Sequence, residues 1–324
     1  MNDKIITKVL DAGGRYGLHP SWKPFRGELK YFLFEPDKKE AERLTRKYTH
    51  RKEEVKIIDL ALSDHVEKKR LFLFKNRAMS SCCERNPISV AFYGERKREV
   101  DIEDQMDVNT TTVDQYCTDN DIQLDFIKVD TEGGELQVLQ GAKTQLKQNI
   151  MGVRCEVSFD RIFEKTSMFP EIHNFILDNG FYLLNLSYDG RGDYCNEFVG
   201  SNGKYGILTS CDAVWLRRGE TIFKGEDREI NVLKYGAFCF NNDASDVAID
   251  FLLQAREQYQ LSLEQFADTK LYQYLEVVVH KLFYSLKWVP GQSLERNKEI
   301  YYKIFKKPML ETHEYNQSMV MNPD

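Results

Sequence analysis

The run Asp125-Phe126-Ile127-Lys128-Val129-Asp130-Thr131-Glu132-Gly133-Gly134-Glu135-Leu136-Gln137-Val138-Leu139-Gln140-Gly141-Ala142 decides the fold. Its largely apolar start, residues 124–129, predicts a strand, and Asp130 to Gly134 supply a turn. Residues 135–146 then take helical spacing, with Leu136, Val138, Leu139 and Ala142 directed to one side. A strand that passes into a helix through a short acidic, glycine-bearing turn is one unit of an α/β sheet. It puts Asp130 and Glu132 at the carboxyl end of a strand, where such sheets hold ligands.

The same grammar extends in both directions. Upstream, strands are expected over 5–10, 29–34 and 55–62, ending in turn at the loop Asp11-Ala12-Gly13-Gly14-Arg15-Tyr16-Gly17, at Glu35-Pro36-Asp37 before a helix over 38–48, and at Ser63-Asp64. Residues 70–74 and 99–108 alternate like an antiparallel excursion around a polar loop. Downstream come strands over 152–157, 181–186 and 213–216, with a helix over 170–177 stopped by Asn179-Gly180. The whole predicts an α/β, Rossmann-like, doubly wound and mostly parallel sheet of seven strands over residues 1–218. Residues 219–235 read as charged and irregular. Helical stretches over 246–259 and 271–286 follow, the second with the stripe Leu271, Leu275, Val278, Leu282. Residues 219–324 are therefore expected to be a linker and a C-terminal α-helical extension. Its two stripes pack against each other and the sheet domain, or form a homodimer surface.

Composition narrows the function. Among 324 residues, 45 basic side chains face 51 acidic ones, a net charge of -6 that argues against coating nucleic acid or an anionic membrane. Seven cysteines contain no CxxC pair or other zinc spacing, so reduced thiols in a cytoplasm are expected. Residues 1–8 lack the apolar core of a signal peptide, and no apolar run approaches the ~20 residues of a spanning helix. The expected protein is cytoplasmic and has no membrane span.

Glycines after a first strand occur in two cofactor classes. A dinucleotide fingerprint wants glycines at 12, 14 and 17, and position 12 is Ala. The pattern Asp-x-Gly-x-x-x-Gly is met in full by Asp11, Gly13 and Gly17 and suits S-adenosylmethionine, a carboxylate holding its ammonium group while bare backbone lies along its methionine part. Glu35, at the second strand's end, is placed to accept both hydrogen bonds of a ribose diol. Ser63 and Asp64 are candidates for the exocyclic amine of adenine, and Ser80-Ser81 add hydroxyls near the same crevice. An NAD-dependent oxidoreductase and a non-catalytic assembly protein of the same fold remain as alternatives. Ala12 and the absence of a Tyr-x-x-x-Lys pair near the fourth or fifth strand disfavour the first, and the intact acids disfavour the second.

The stretch from Asp125 to Ala142 resembles the signature of the FkbM-type methyltransferase family: a strand carrying Ile-Lys-Ile-Asp, then Glu-Gly, a second Glu, and Val-Leu-x-Gly-Ala. Phe34-Glu35-Pro36-Asp37, Leu62-Ser63-Asp64, Ser80-Ser81, Cys155-Glu156-Val157-Ser158-Phe159 and Gly180-Phe181 resemble further parts of it, over about residues 5–217. The resemblance implies a seven-stranded methyltransferase sheet, S-adenosylmethionine as methyl donor, and O-methylation of a sugar or secondary metabolite, so the expected partner is a small-molecule or glycan acceptor. Gly14 and Arg15 depart from the family's usual Ala and Asn. The first strand also begins almost at Met1, where many members carry a covering segment, which makes the C-terminal helices a candidate lid.

In-line transfer to oxygen needs an aligned acceptor and a home for its proton. Asp130 is the candidate base or acceptor-orienting group, with Glu132 beside it as a second catalytic candidate and Glu156 as a candidate for substrate contact. Two such carboxylates would also suit Mg2+. Tyr16 and Trp22 are candidate stacking partners, and His19 is a minor candidate base. Tyr188, Arg191, Tyr194 and Tyr205 would suit a carbohydrate face.

Overall fold

The computed structural model describes residues 5–90, 98–187, 208–225, 227–287 and 289–311. The expected carbohydrate face, Tyr188, Arg191, Tyr194 and Tyr205, lies outside them. Two compact units divide the chain, one of Ile6–Thr221 and one to which Ile5 and the described residues from Ile222 on belong.

In the first unit, β1 (Thr7–Ala12), β2 (Leu29–Phe34) and β3 (Val55–Ile58) alternate with a 3-10 turn at Pro20–Phe25 and helix α1 (Lys38–Lys47). An excursion comes next: β4 (Ala61–Leu62), β5 (Lys68–Phe74), the short α2 (Pro87–Val90) and β6 (Ile102–Thr111). The chain then runs through α3 (Val113–Asp119), β7 (Phe126–Val129), α4 (Glu135–Gln140), α5 (Lys143–Gln148), β8 (Gly152–Ser158), α6 (Phe169–Asp178), β9 (Phe181–Ser187) and β10 (Ser210–Arg217). Seven strands pair in the order β3-β2-β1-β7-β8-β10-β9, and β4, β6 and β5 form a separate three-stranded sheet. The pairs from β3 to β8 are parallel, and β10 runs antiparallel to both its neighbours. Central strands explain their own burial: all four residues of β7 are buried, as a strand covered on both faces requires.

One face of the sheet is apolar throughout. Leu10, Ala12, Ile127, Val129, Val153 and Cys155 pack there against Val113, Val138, Leu139, Ile172 and Ile176. On the other face Trp22 and Phe25 of the 3-10 turn cover Phe126, with the Trp22 ring 5.8 Å from it. Beyond this aromatic patch the register aligns Asp11 with Lys128 and Lys128 with Arg154, a row of charges across three strands.

Three boundaries differ from the sequence reading. The first strand runs past residue 10, because Asp11 and Ala12 pair on both sides, with Leu33 and Phe34 and with Lys128 and Val129. Residues 55–62 split into β3 and β4, which serve different sheets. The helix expected over 135–146 breaks at Gly141, where a Cβ would sit 2.2 Å from the Ser63 carbonyl oxygen; the β4 loop crosses the backbone there.

The second unit holds four helices among the described residues: α7 (Arg228–Asn241), α8 (Ser245–Glu257), α9 (Lys270–Leu286) and α10 (Leu294–Phe305). The two expected stripes are α8 and α9, and each packs on both α7 and α10. The first half of α7 reads as irregular in sequence because its apolar run begins only at Val232. No helix among the described residues is long and apolar enough to cross a membrane.

Candidate active site

An open cavity of about 770 Å³ lies at the carboxyl ends of β1, β2 and β7, under the excursion formed by β4 and β5. Gly13, Glu35, Ser81, Asp130 and Glu132 line it, as does Ser80. Asp11, Gly17, Ser63 and Asp64 do not.

The glycine loop brings the ends of β1 and β7 together. Gly13 has φ +87°, and a Cβ there would fall 1.7 Å from the Asp130 carbonyl oxygen, so no larger residue fits. Gly17, at φ +90°, is needed for a different reason: a side chain would strike the Tyr48 hydroxyl, which accepts from the Leu18 N–H at 2.8 Å. It shapes the turn rather than the cavity.

Asp11 points into the sheet. It is 1% exposed, accepts from the Tyr31 hydroxyl, and lies 3.5 Å from the Lys128 ammonium. Burial pushes its carboxyl up, opposed by Lys128. Ser63 is also buried. It donates to Asp64 at 3.0 Å and accepts from Lys69 at 2.8 Å, and Lys69 itself reaches the cavity wall.

Glu35 meets the sequence expectation of position. It is 4% exposed, and its Oε1 accepts from the Asp37 N–H at 2.9 Å, with the Arg15 guanidinium 3.8 Å away. Burial pushes its carboxyl up to about 7 against the pull of that N–H and of Arg15. Asp37 in turn caps α1 through the Lys39 N–H and binds Arg15 at 2.8 Å, which fixes the loop. The wall beside Glu35 is apolar, formed by Leu60, Ala61, Leu62, Leu71 and Ala78.

The acidic end is held in place by Glu135, Arg85 and Lys128, to which the sequence reading gives no site role. Glu135 is the loop's own clamp, accepting from the Thr131 N–H at 2.9 Å and the Gly133 N–H at 3.0 Å. Glu132, held at φ +57°, turns to the cavity instead, where Arg85 pairs with it at 3.3 Å. Ser81 supports the arrangement by donating to the Glu132 carbonyl at 2.5 Å and accepting from the Cys83 N–H at 2.8 Å. Lys128 is 5% exposed and reaches Asp130 at 3.0 Å as well as Asp11. Burial works against its charge, but the two carboxylates more than offset it and raise its proton affinity. A lysine inside Phe-Ile-Lys-Val was the available signal, since a cation in a buried strand requires a partner.

One carboxylate oxygen each from Asp130, Glu132 and Glu156 lie within 4.8 Å of one another. Lys128 and Arg85 already balance two of these acids, so the set fits a dication poorly, and the expectation of Mg2+ at this end is not supported. Trp22 is fully buried in the core and Tyr16 is 77% exposed. His19 caps the 3-10 turn through Ser21, and burial, aided by Lys128 and Arg154, lowers it to about 4, which makes it a weak base.

Fold and site together define an α/β protein with a Rossmann-like sheet, whose cavity at the strand ends has the buried acid Glu35 on one side and clustered carboxylates on the other. The family profile described as Methyltransferase FkbM domain matches residues 17–183, and the chain belongs to that methyltransferase family. Among solved structures, an FkbM methyltransferase from Methylobacillus flagellatus KT is similar at 14% identity, covering 65% of this chain and 43% of that one, with a TM-score of 0.39. This chain thus spans less than half of that protein. A Methanococcus jannaschii fibrillarin pre-rRNA processing protein aligns at 11% identity over 67% of this chain and 69% of its own, TM-score 0.34. A precorrin-6y C5,15-methyltransferase from Geobacter metallireducens GS-15 aligns at 10% identity over 67% and 86%, TM-score 0.32. No curated protein matches the chain.

Proposed function

We propose that the chain is an S-adenosylmethionine-dependent O-methyltransferase acting on a hydroxyl of a sugar or secondary metabolite. The observation that carries the reading is the buried Glu35 carboxyl at the cavity wall, with Oε1 committed to the Asp37 N–H and Oε2 accepting no hydrogen bond among the described residues. A cis-diol supplies the donors that such a carboxylate lacks. Beside it the wall of Ala61, Leu62 and Leu71 suits an adenine ring, and the Gly13 backbone allows close approach of the remainder. S-adenosylmethionine, when bound, supplies an electrophilic methyl group on sulfonium. Asp130 then orients the acceptor hydroxyl, fixed by Lys128, while Glu132, fixed by Arg85, keeps that end of the cavity negative toward the cationic donor.

Calorimetric titration with S-adenosylhomocysteine, with NAD in parallel, tests the cofactor. Micromolar binding of the first alone is expected. Binding of NAD alone moves the chain to the oxidoreductase reading, and binding of neither overturns the assignment. Methyl transfer from labelled donor to simple glycosides then tests the acceptor class.

A further inference from the structure

Among the three clustered acids, Glu156 stands apart. Asp130 holds Lys128 and Glu132 holds Arg85, but the Glu156 carboxyl makes no hydrogen bond or ion pair among the described residues. It sits on β8 directly across from Asp212 of β10, and Asp212 is itself committed to Arg154 through contacts of 2.7 and 3.0 Å. The groups facing it are therefore Asp130 and Glu132 from the end of β7, Glu135 from α4 and Asp212 from β10. The neighbouring cations Lys128, Arg85 and Arg154 are each bound to another acid.

We propose that Glu156 is the proton-accepting residue of the transfer, a carboxyl held without a partner so that it can take the proton of the acceptor hydroxyl that Asp130 aligns. This rests on the S-adenosylmethionine reading. Loss of hydration, reinforced by repulsion from Glu132, Asp130, Glu135 and Asp212, pushes its carboxyl above the usual carboxylate range and so favours its protonated form. Entry of a sulfonium cation at this end favours the ionised form and expels the proton. In the transfer, the acceptor O–H bond breaks and its proton goes to the Glu156 carboxylate. The freed electron pair forms the O–C bond to the methyl group, and the C–S bond pair stays on sulfur, leaving the thioether. An elevated proton affinity makes Glu156 the stronger base once ionised.

The test uses the whole chain and the variant Glu156→Gln. Binding of S-adenosylmethionine is measured by calorimetry in buffers of different ionisation enthalpy, and S-adenosylhomocysteine, which lacks the sulfonium charge, is the control. Wild type is expected to release a proton with the first ligand only, and Glu156→Gln to lose that release while keeping its S-adenosylhomocysteine affinity within about twofold. Equal release in both proteins overturns the proposal. A second readout needs no ligand: a raised folded-state proton affinity costs stability as pH rises, so Glu156→Gln should melt above wild type at pH 9, the gap closing toward pH 4. Parallel melting curves across that range overturn the proposal, whereas a pH-dependent gap with no S-adenosylhomocysteine binding by either protein overturns the cofactor reading alone.

Discussion

The acids at the two ends of the cavity are arranged in opposite ways. At the β2 end, Glu35 is a single carboxyl with a defined hydrogen bond, a guanidinium behind it and a loop fixed by Asp37. At the β7 end, several carboxylates crowd together, two held by cations and one by none. The first arrangement is suited to grip a neutral diol. The second stores charge imbalance that only a cation or a proton relieves. Both acids are raised by burial, so burial alone does not distinguish their tasks; the partners do.

Lys128 is where this contrast breaks most sharply. Lys128→Met leaves Asp11 and Asp130 without their shared cation, and a loss of about 3–5 kcal/mol in unfolding free energy is expected from denaturant titration. A loss below about 1 kcal/mol would show that the row of charges is not what holds the β7 end. Asp11→Asn comes next, with about 1–3 kcal/mol of stability lost and S-adenosylhomocysteine affinity changed less than in Glu35→Ala, because Asp11 faces Tyr31 and Lys128 and not the cavity. The reverse ranking in a binding titration would return Asp11 to the ligand.

Glu35→Ala is expected to weaken S-adenosylhomocysteine by more than about tenfold, near the value of one charge-assisted hydrogen bond. Its pH dependence separates gripping from proton exchange. A carboxyl raised to about 7 offers both oxygens as charged acceptors to a diol only when ionised, so wild-type affinity should fall as pH drops through 7, and Glu35→Gln should be weak and flat over that range. Stability runs the other way. The folded-state proton affinity exceeds the unfolded one, so the contribution is full below about 4.5 and is lost as pH rises through about 7, leaving Glu35→Gln the more stable protein at pH 8. The smallest effect belongs to Asp37→Ala, which removes the α1 cap and an Arg15 partner and should cost about 1 kcal/mol in a thermal melt, with a modest loss of affinity.

Most of the sheet was legible because its strands are short apolar runs ended by glycine, proline or acid, and the stretch from Asp125 to Ala142 names its own strand, turn and helix. What escaped was set by pairing across the chain. Asp11 belongs to the strand and not the loop because neighbours on both sides extend its ladder, and that register turns its side chain toward Lys128. The clamp of the turn, Glu135, also escaped, because only the backbone path, with Glu132 at positive φ, brings the Thr131 and Gly133 N–H groups to it. Helix α10 was missed because Tyr301, Ile304 and Phe305 are spaced among charges, a face that becomes apolar only against its neighbours.

The row Asp11, Lys128, Arg154 and Asp212 also bears on how the chain finds its fold. Its members come from four strands separated by long stretches of sequence and meet only when every register is correct. A slip of one residue would turn Lys128 and Arg154 into the apolar layer beneath the helices, with no anion to meet them. The charges thus work as a key for assembly: they reject misaligned sheets that apolar side chains alone would tolerate, before any ligand is present.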